Sequence, residues 1–319
     1  MSPAAQPTQP IELHIELHQL DLFVDGRDAV LVHAVVTSLL ARDPDGAAAR
    51  RATLRHEHPA HPDLPALALL IESLRSSPPS PGSHTTVTAA LGHVDRTLAP
   101  AARRLLGRDA AVFLGPLWHL LAATASCLSF DENFPRAHAS WLCQQFDDWS
   151  AVRAAVEAEP DWAKRPLLRY RLGLARHHLG DVDGAIKLWL PLCWIDPALF
   201  ARYAPTLPNA TLREAWEACE RAGSFGESAG ATHPATWFPP WLLVRDRRLA
   251  DLFQPADVPD AGTSSEVFRA LLTLVPLERR GLSDELIAHR RALQRLSPEL
   301  FAYYMQTLSG PRIGTATRR

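Results

Sequence analysis

Between Pro160 and Pro197, apolar residues recur at three- and four-residue intervals, the spacing that lines one face of a helix. Leu168, Leu172, Ala175 and Leu179 share such a face over a helix predicted at Arg165–Leu179. Gly180-Asp181-Val182-Asp183 interrupts the pattern as a tight connection, with aspartate as the cap of the next helix. Ala185, Leu188, Trp189 and Leu192 then share a face of a second predicted helix, Gly184–Trp194. Asp196-Pro197 stops it, because proline disfavours helical geometry in the residue before it and cannot continue the ladder. The order recurs earlier: Asp147-Asp148-Trp149 stands where Gly180-Asp181-Val182 stands, and Val152 where Ala185 stands. A third copy is expected at the N-terminus, with Leu13–Val24, a turn at Asp25-Gly26, a helix Ala29–Ala41 and a stop at Asp43-Pro44. There the alternation of Ile11, Leu13, Ile15 and Leu17 also fits a strand, but helix is the favoured reading.

Further helices are predicted at Leu64–Leu74 and Thr86–Leu98, on either side of the Pro/Ser loop Ser76–Ser83. Others are predicted at Thr211–Ala222 behind the cap residue Asn209, Ser265–Leu277 behind the capping-box spacing Thr263-x-x-Glu266, Leu282–Leu296, and Pro298–Leu308 behind Ser297. The chain therefore divides into a tail (1–10), N-terminal helix hairpins (11–75), a central helical region (85–222), a C-terminal helical cap (237–309) and a second tail (310–319). The fold class is all-α.

In the central region, Leu172-Gly173, Gly180, Ala185, Trp189 and Pro197 stand at offsets that give residues 134–197 a resemblance to tetratricopeptide repeats. The resemblance implies helix pairs stacked into a superhelix whose first helices line a concave groove. Carried over by position, it places Phe134, Ala137, Trp141, Gln144 and Gln145, and then Tyr170, Leu174, His177 and His178, on that groove. Arg169 and Arg176 stand where the family has aromatics, and the lysine and asparagine clamp for a C-terminal carboxylate is missing from these positions. The implied ligand is a protein or peptide segment bound along an aromatic and polar groove.

Composition narrows the rest. Of 319 residues 47% are apolar, enough for a large core, and a formal net charge of −2 argues against a general nucleic-acid binder. Lys164 and Lys187 are the only lysines among 33 basic residues, a bias of high-GC bacterial genomes. The opening MSPAAQPTQP lacks a basic stretch before an apolar one and reads against a secretory leader. Ala110–Phe130 carries no formal charge and has the length of a bilayer span, but Gly115, Pro116 and His119 favour a buried helix. Cys127, Cys143, Cys193 and Cys219 form no C-x-x-C pair and read as free thiols of a cytoplasmic protein.

Candidate chemistry is sparse. Gly226-Glu227-Ser228-Ala229-Gly230 matches the nucleophile elbow of serine hydrolases, but that motif needs a strand before it and a helix after it. The sequence offers a helix before and prolines after, so Ser228 reads as a loop residue. His56, His58 and His61 could gather a metal, yet Pro59 and Pro62 sit among them at a helix end, and no metal or cofactor is assigned. Asp181-x-Asp183-Gly184 lacks the later ligands of a calcium loop. Trp237, Phe238 and Trp241 lie in a proline-rich junction, where they either face a partner or plug the junction against the last helices. The expectation is a non-catalytic, cytoplasmic scaffold or adaptor in a bacterial multiprotein assembly. Two alternatives are a Ser228 hydrolase and a subunit anchored in a membrane through Ala110–Phe130.

Overall fold

The computed structural model describes residues 13–76, 82–223 and 233–309, all of whose regular elements are helical. The predicted tails 1–10 and 310–319 and the loop residue Ser228 lie outside the described residues. The fold is all-α, as the helical spacing implied, and it divides into two compact units, 1–147 and 148–319. The division falls inside the region from 85 to 222.

The first unit contains α1 (Leu13–Leu40), α2 (Pro44–Glu57), α3 (Leu64–Arg75), α4 (His84–His93), α5 (Ala99–Leu106), α6 (Ala110–Ala125) and α7 (Ala139–Gln144). The turn expected at Asp25-Gly26 is absent, because α1 runs through it without a break. A lone glycine costs a helix only about 1 kcal/mol, and Gly26 takes no positive φ that would end the ladder. The chain reverses instead at Ala41-Arg42, and the strand alternative at Leu13–Leu17 gives way to helix. Asp43 caps α2 by accepting a hydrogen bond from the Gly46 N–H, and Pro44 takes the first helical position, where its missing donor costs nothing. Val35, Leu39, Ala47, Leu54, Leu67 and Leu70 are fully buried between the first three helices, and Arg50 donates to the buried Ser38 hydroxyl. The helix predicted over Thr86–Leu98 widens into a π turn, Val94–Leu98, before α5.

The second unit begins with α8 (Trp149–Glu157), α9 (Pro166–His178), α10 (Val182–Trp189), α11 (Leu192–Ile195), α12 (Pro197–Tyr203) and α13 (Ala210–Ala222). It ends with α14 (Phe238–Arg245), α15 (Thr263–Arg280), α16 (Asp284–Leu296) and α17 (Pro298–Ser309). The α9–α10 pair closes on Gly173, where an added Cβ would stand 2.2 Å from the Trp189 Nε1. That indole lies against the glycine and donates to the Tyr170 carbonyl at 3.2 Å. The helix predicted over Gly184–Trp194 is two helices, because Pro191 cannot carry the ladder past Trp189. At α15 the expected capping box does not form: Gly262 at φ +83 occupies the cap position and Thr263 is already helical. Ser265 takes over the polar closure, accepting from the Ala261 N–H and donating to the Gly262 carbonyl.

Trp237, Phe238 and Trp241 are core residues, not an interface. Their exposures are 5%, 0% and 1%. Phe238 packs among Phe200, Trp216 and Trp241, and Trp241 stacks on Tyr303. The prolines of this segment sit in the first turn of α14, whose residues from Phe238 to Val244 are all buried. The terminal helices are tied at Glu278, whose buried carboxylate accepts from Arg247 at 2.8 Å, from Arg290 at 2.7 Å and from the Tyr304 hydroxyl.

Candidate functional site

The turn that closes α9 onto α10 is built from three devices. The Asp181 N–H reaches back to the Arg176 carbonyl at 2.8 Å and the Gly180 N–H to that of His177 at 3.0 Å, the double closure of a helix that ends on a left-handed residue. That residue is Gly180, at φ +89. Asp181 then caps α10, accepting from the Gly184 N–H at 2.9 Å, and Gly184 leaves the room: a Cβ there would meet the capping carboxylate at 2.0 Å.

The same turn stands at the end of α1. The Asp43 N–H bonds the Ser38 carbonyl at 2.9 Å, the Arg42 N–H bonds that of Leu39 at 3.0 Å, and Asp43 caps α2 over Gly46. Asp43-x-Asp45-Gly46-Ala47 thus repeats Asp181-x-Asp183-Gly184-Ala185, and Ala47 and Ala185 are both fully buried. A looser version comes after α7, where Asp147 is left-handed at φ +56 and Asp148 caps α8 over the Ala151 N–H at 2.9 Å. Val152, in the place of Ala185, is fully buried. The N-terminal helix pair expected around Asp25-Gly26 is a single helix, and the turn that matches the one after α9 lies instead at Arg42-Asp43.

The residues predicted to line a groove fall in both units. In the first, Phe134 is half-buried and stacks on His84, and Ala137 is fully buried. Trp141 is half-buried, edge-on to Trp118, with the Arg136 guanidinium 4.2 Å above its ring. Gln145 is exposed and donates to the Trp141 carbonyl, while the half-buried Gln144 has an Nε2 without a partner among the described residues. In the second unit the prediction divides. Tyr170 and Leu174 point into the core and cannot form a wall. Tyr170 stacks on Tyr203 at 4.3 Å, and burial pushes its hydroxyl up to about 12. His178 is exposed, whereas His177 is half-buried with its ring 5.9 Å from that of Trp189.

Both belong to a patch that periodicity alone does not mark. His178 lies flat on Trp149 at 3.9 Å with an interplanar angle of 5°. Leu179 and Val182, on either side of the Gly180-Asp181 turn, are 42% and 39% exposed. Burial, and then the neighbouring His178, lower the His177 pKa below the ordinary histidine value, favouring a neutral ring. The result is an aromatic and aliphatic surface with two imidazoles, suited to apolar side chains of another protein and to hydrogen bonds from an adjoining backbone.

The His61 Nδ1 accepts from the Asp63 N–H at 3.2 Å and its Nε2 faces Asp28 at 3.7 Å, so both ring nitrogens are engaged. No group of three or more His, Cys, Asp or Glu among the described residues is gathered as a metal would require. The four cysteines are free, and burial pushes the Cys219 thiol up to about 12 and that of Cys193 well above its ordinary value. Within Ala110–Phe130 the helix α6 has 16 residues, about 24 Å at the usual rise, against a hydrocarbon core of about 30 Å. It buries Phe113, Leu114, Trp118 and Leu121 within its own unit, and no helix among the described residues is long and apolar enough to cross a membrane. Against protein-family models, curated proteins and solved structures alike, the chain has no significant match.

Proposed function

We propose that this chain is a tetratricopeptide-like helix-hairpin protein that holds a segment of another protein and performs no chemistry of its own. One observation carries the reading: Leu179 and Val182 are exposed on either side of the α9–α10 connection, beside the stacked Trp149–His178 pair. Exposed aliphatic groups beside a supported aromatic ring offer apolar area at little cost in side-chain entropy, which favours protein contact. The repeated turn design after α1, α7 and α9 supports the helix-hairpin part of the reading. The four free thiols and the lysine-poor composition support a bacterial cytoplasmic setting.

A photo-crosslinking amino acid placed at Leu179 in the native cell tests it, with the same group at Leu282 as control, since Leu282 is 82% exposed and outside the patch. The expected result is a discrete protein adduct from position 179 that is absent from 282 and is lost in a Val182→Glu background. Equal adducts from both positions, or none from either, would overturn the proposal.

A further inference from the structure

The first unit contains a pocket of about 220 Å³ between the end of α1, α3, α4 with its π turn, and α6. Its floor is apolar, made by Leu74, Val94, Leu98 and Leu117 among others, and no carboxylate among the described residues lines it. Two exposed groups that can carry positive charge, Arg42 and His93, stand at its rim, and neither forms an ion pair among the described residues.

Three backbone irregularities of this unit converge on the same pocket. Arg42 holds a left-handed conformation at φ +56, in the position Gly180 occupies in the matching turn. For a non-glycine residue that is strained, and strain of this kind is retained where the surroundings or a function require it. Val94–Leu98 is a π turn, a rare geometry frequent at functional sites. Pro116, inside α6, cannot make the helix bond to the Val112 carbonyl. At the next carbonyl, that of Phe113, Arg42 Nη1 donates at 3.3 Å. That bond holds the side chain of a residue lining the pocket and uses one of the guanidinium's five N–H donors.

We infer that this pocket binds an amphipathic carboxylate, with the apolar body on the leucine and valine floor and the carboxylate paired with Arg42 at the rim. The cationic Arg42 at the rim disfavours a cationic ligand, and its planar guanidinium matches a carboxylate in two-point geometry. His93 adds a second donor at the rim. The pocket is independent of the surface proposed for protein contact, which lies wholly on the second unit.

The test is titration calorimetry of the intact chain with sodium decanoate, decanol and decylammonium, below their aggregation thresholds. Decanoate should bind about ten- to one-hundred-fold more tightly than decanol, the usual worth of a charged hydrogen-bonded pair, and decylammonium should not bind. Arg42→Gly should weaken decanoate to the level of decanol while the melting midpoint stays equal to or above that of the unaltered chain, since glycine suits the left-handed position. That combination separates lost recognition from lost folding. Leu117→Trp, which fills the floor, should remove both ligands with helical content unchanged. Equal affinity for decanoate and decanol, unchanged binding by Arg42→Gly, or no decanoate binding at all would each overturn the inference.

Discussion

The turns after α1 and after α9 share their backbone bonds, their capping aspartate, their Asp-x-Asp-Gly-Ala order and their buried alanine, yet they differ in three respects. The left-handed position is Arg42 in one and Gly180 in the other. Seven residues before it stands Val35 in α1 and Gly173 in α9. The residues closing the first helix are Leu39-Leu40 in one and His177-His178 in the other. The shared parts are those that satisfy the backbone at any helix reversal. The differing parts set what each reversal does besides turning: α9–α10 is pulled close around an indole and shows an aromatic surface, whereas the α1 turn puts a left-handed arginine at the edge of a pocket.

The largest break in the comparison should come from the interhelical approach. Gly173→Val, which copies the α1 residue Val35 into α9, puts a branched side chain where a Cβ alone would stand 2.2 Å from the Trp189 ring. Overpacking of that severity costs about 3 kcal/mol, and it displaces an indole that bonds the Tyr170 carbonyl. Urea unfolding monitored by tryptophan fluorescence should show the loss. A change below about 1 kcal/mol would mean that α10 moves away freely and that the close approach is not needed.

Next in size are the capping glycines, which should respond alike in both turns. Gly46→Ala and Gly184→Ala each place a methyl group against a capping carboxylate, 1.9 Å from Asp43 Oδ2 and 2.0 Å from Asp181 Oδ2. Each should lose the worth of its cap, about 1 kcal/mol. Clearly unequal losses in denaturant titration would break the equivalence. The left-handed position should then respond in opposite directions. Arg42→Gly removes strain and should stabilise by about 1 kcal/mol, whereas Gly180→Arg introduces it and should destabilise by a similar amount. A destabilised Arg42→Gly would show that the bond to the Phe113 carbonyl outweighs the strain, which would make Arg42 a structural tie.

Legibility in the sequence divides along the same line. The α9–α10 pair can be read because period, glycine, capping aspartate and buried alanine all agree locally. The α1 turn is misplaced because Asp25-Gly26 carries the residue type of a turn while the real turn carries Arg42, and arginine gives no signal of a left-handed backbone. Asp43-x-Asp45-Gly46-Ala47 is the cue that corrects it. For Trp237, Phe238 and Trp241 the sequence leaves two readings open, partner-facing or plugging the junction, because their burial is made by rings of other helices, Phe200 of α12, Trp216 of α13 and Tyr303 of α17. The stacking of His178 on Trp149 likewise joins two different helices, and no local pattern encodes it. Ridges and turns are local quantities, while which face becomes surface is decided by packing.

The smallest expected effect concerns the third difference, the histidines. A protonated histidine at the end of α9 would gain from the helix dipole, but burial and then His178 disfavour the charge, and the His177 pKa is lowered. A lowered folded-state value means that the unfolded chain binds the proton more readily. The contribution of His177 to stability is therefore complete above the ordinary value of 6.5 and is lost as pH falls from there through the lower folded value. The corresponding residue of α1, Leu39, has no such titration. His177→Leu, which makes the two helix ends alike at this position, should flatten the decline in stability between about pH 7 and pH 5, the range in which histidine titrates. Parallel pH profiles of the variant and the unaltered chain would show that the His177 ring is as well solvated in the folded protein as in the unfolded one, and that the two helix ends differ in surface chemistry alone.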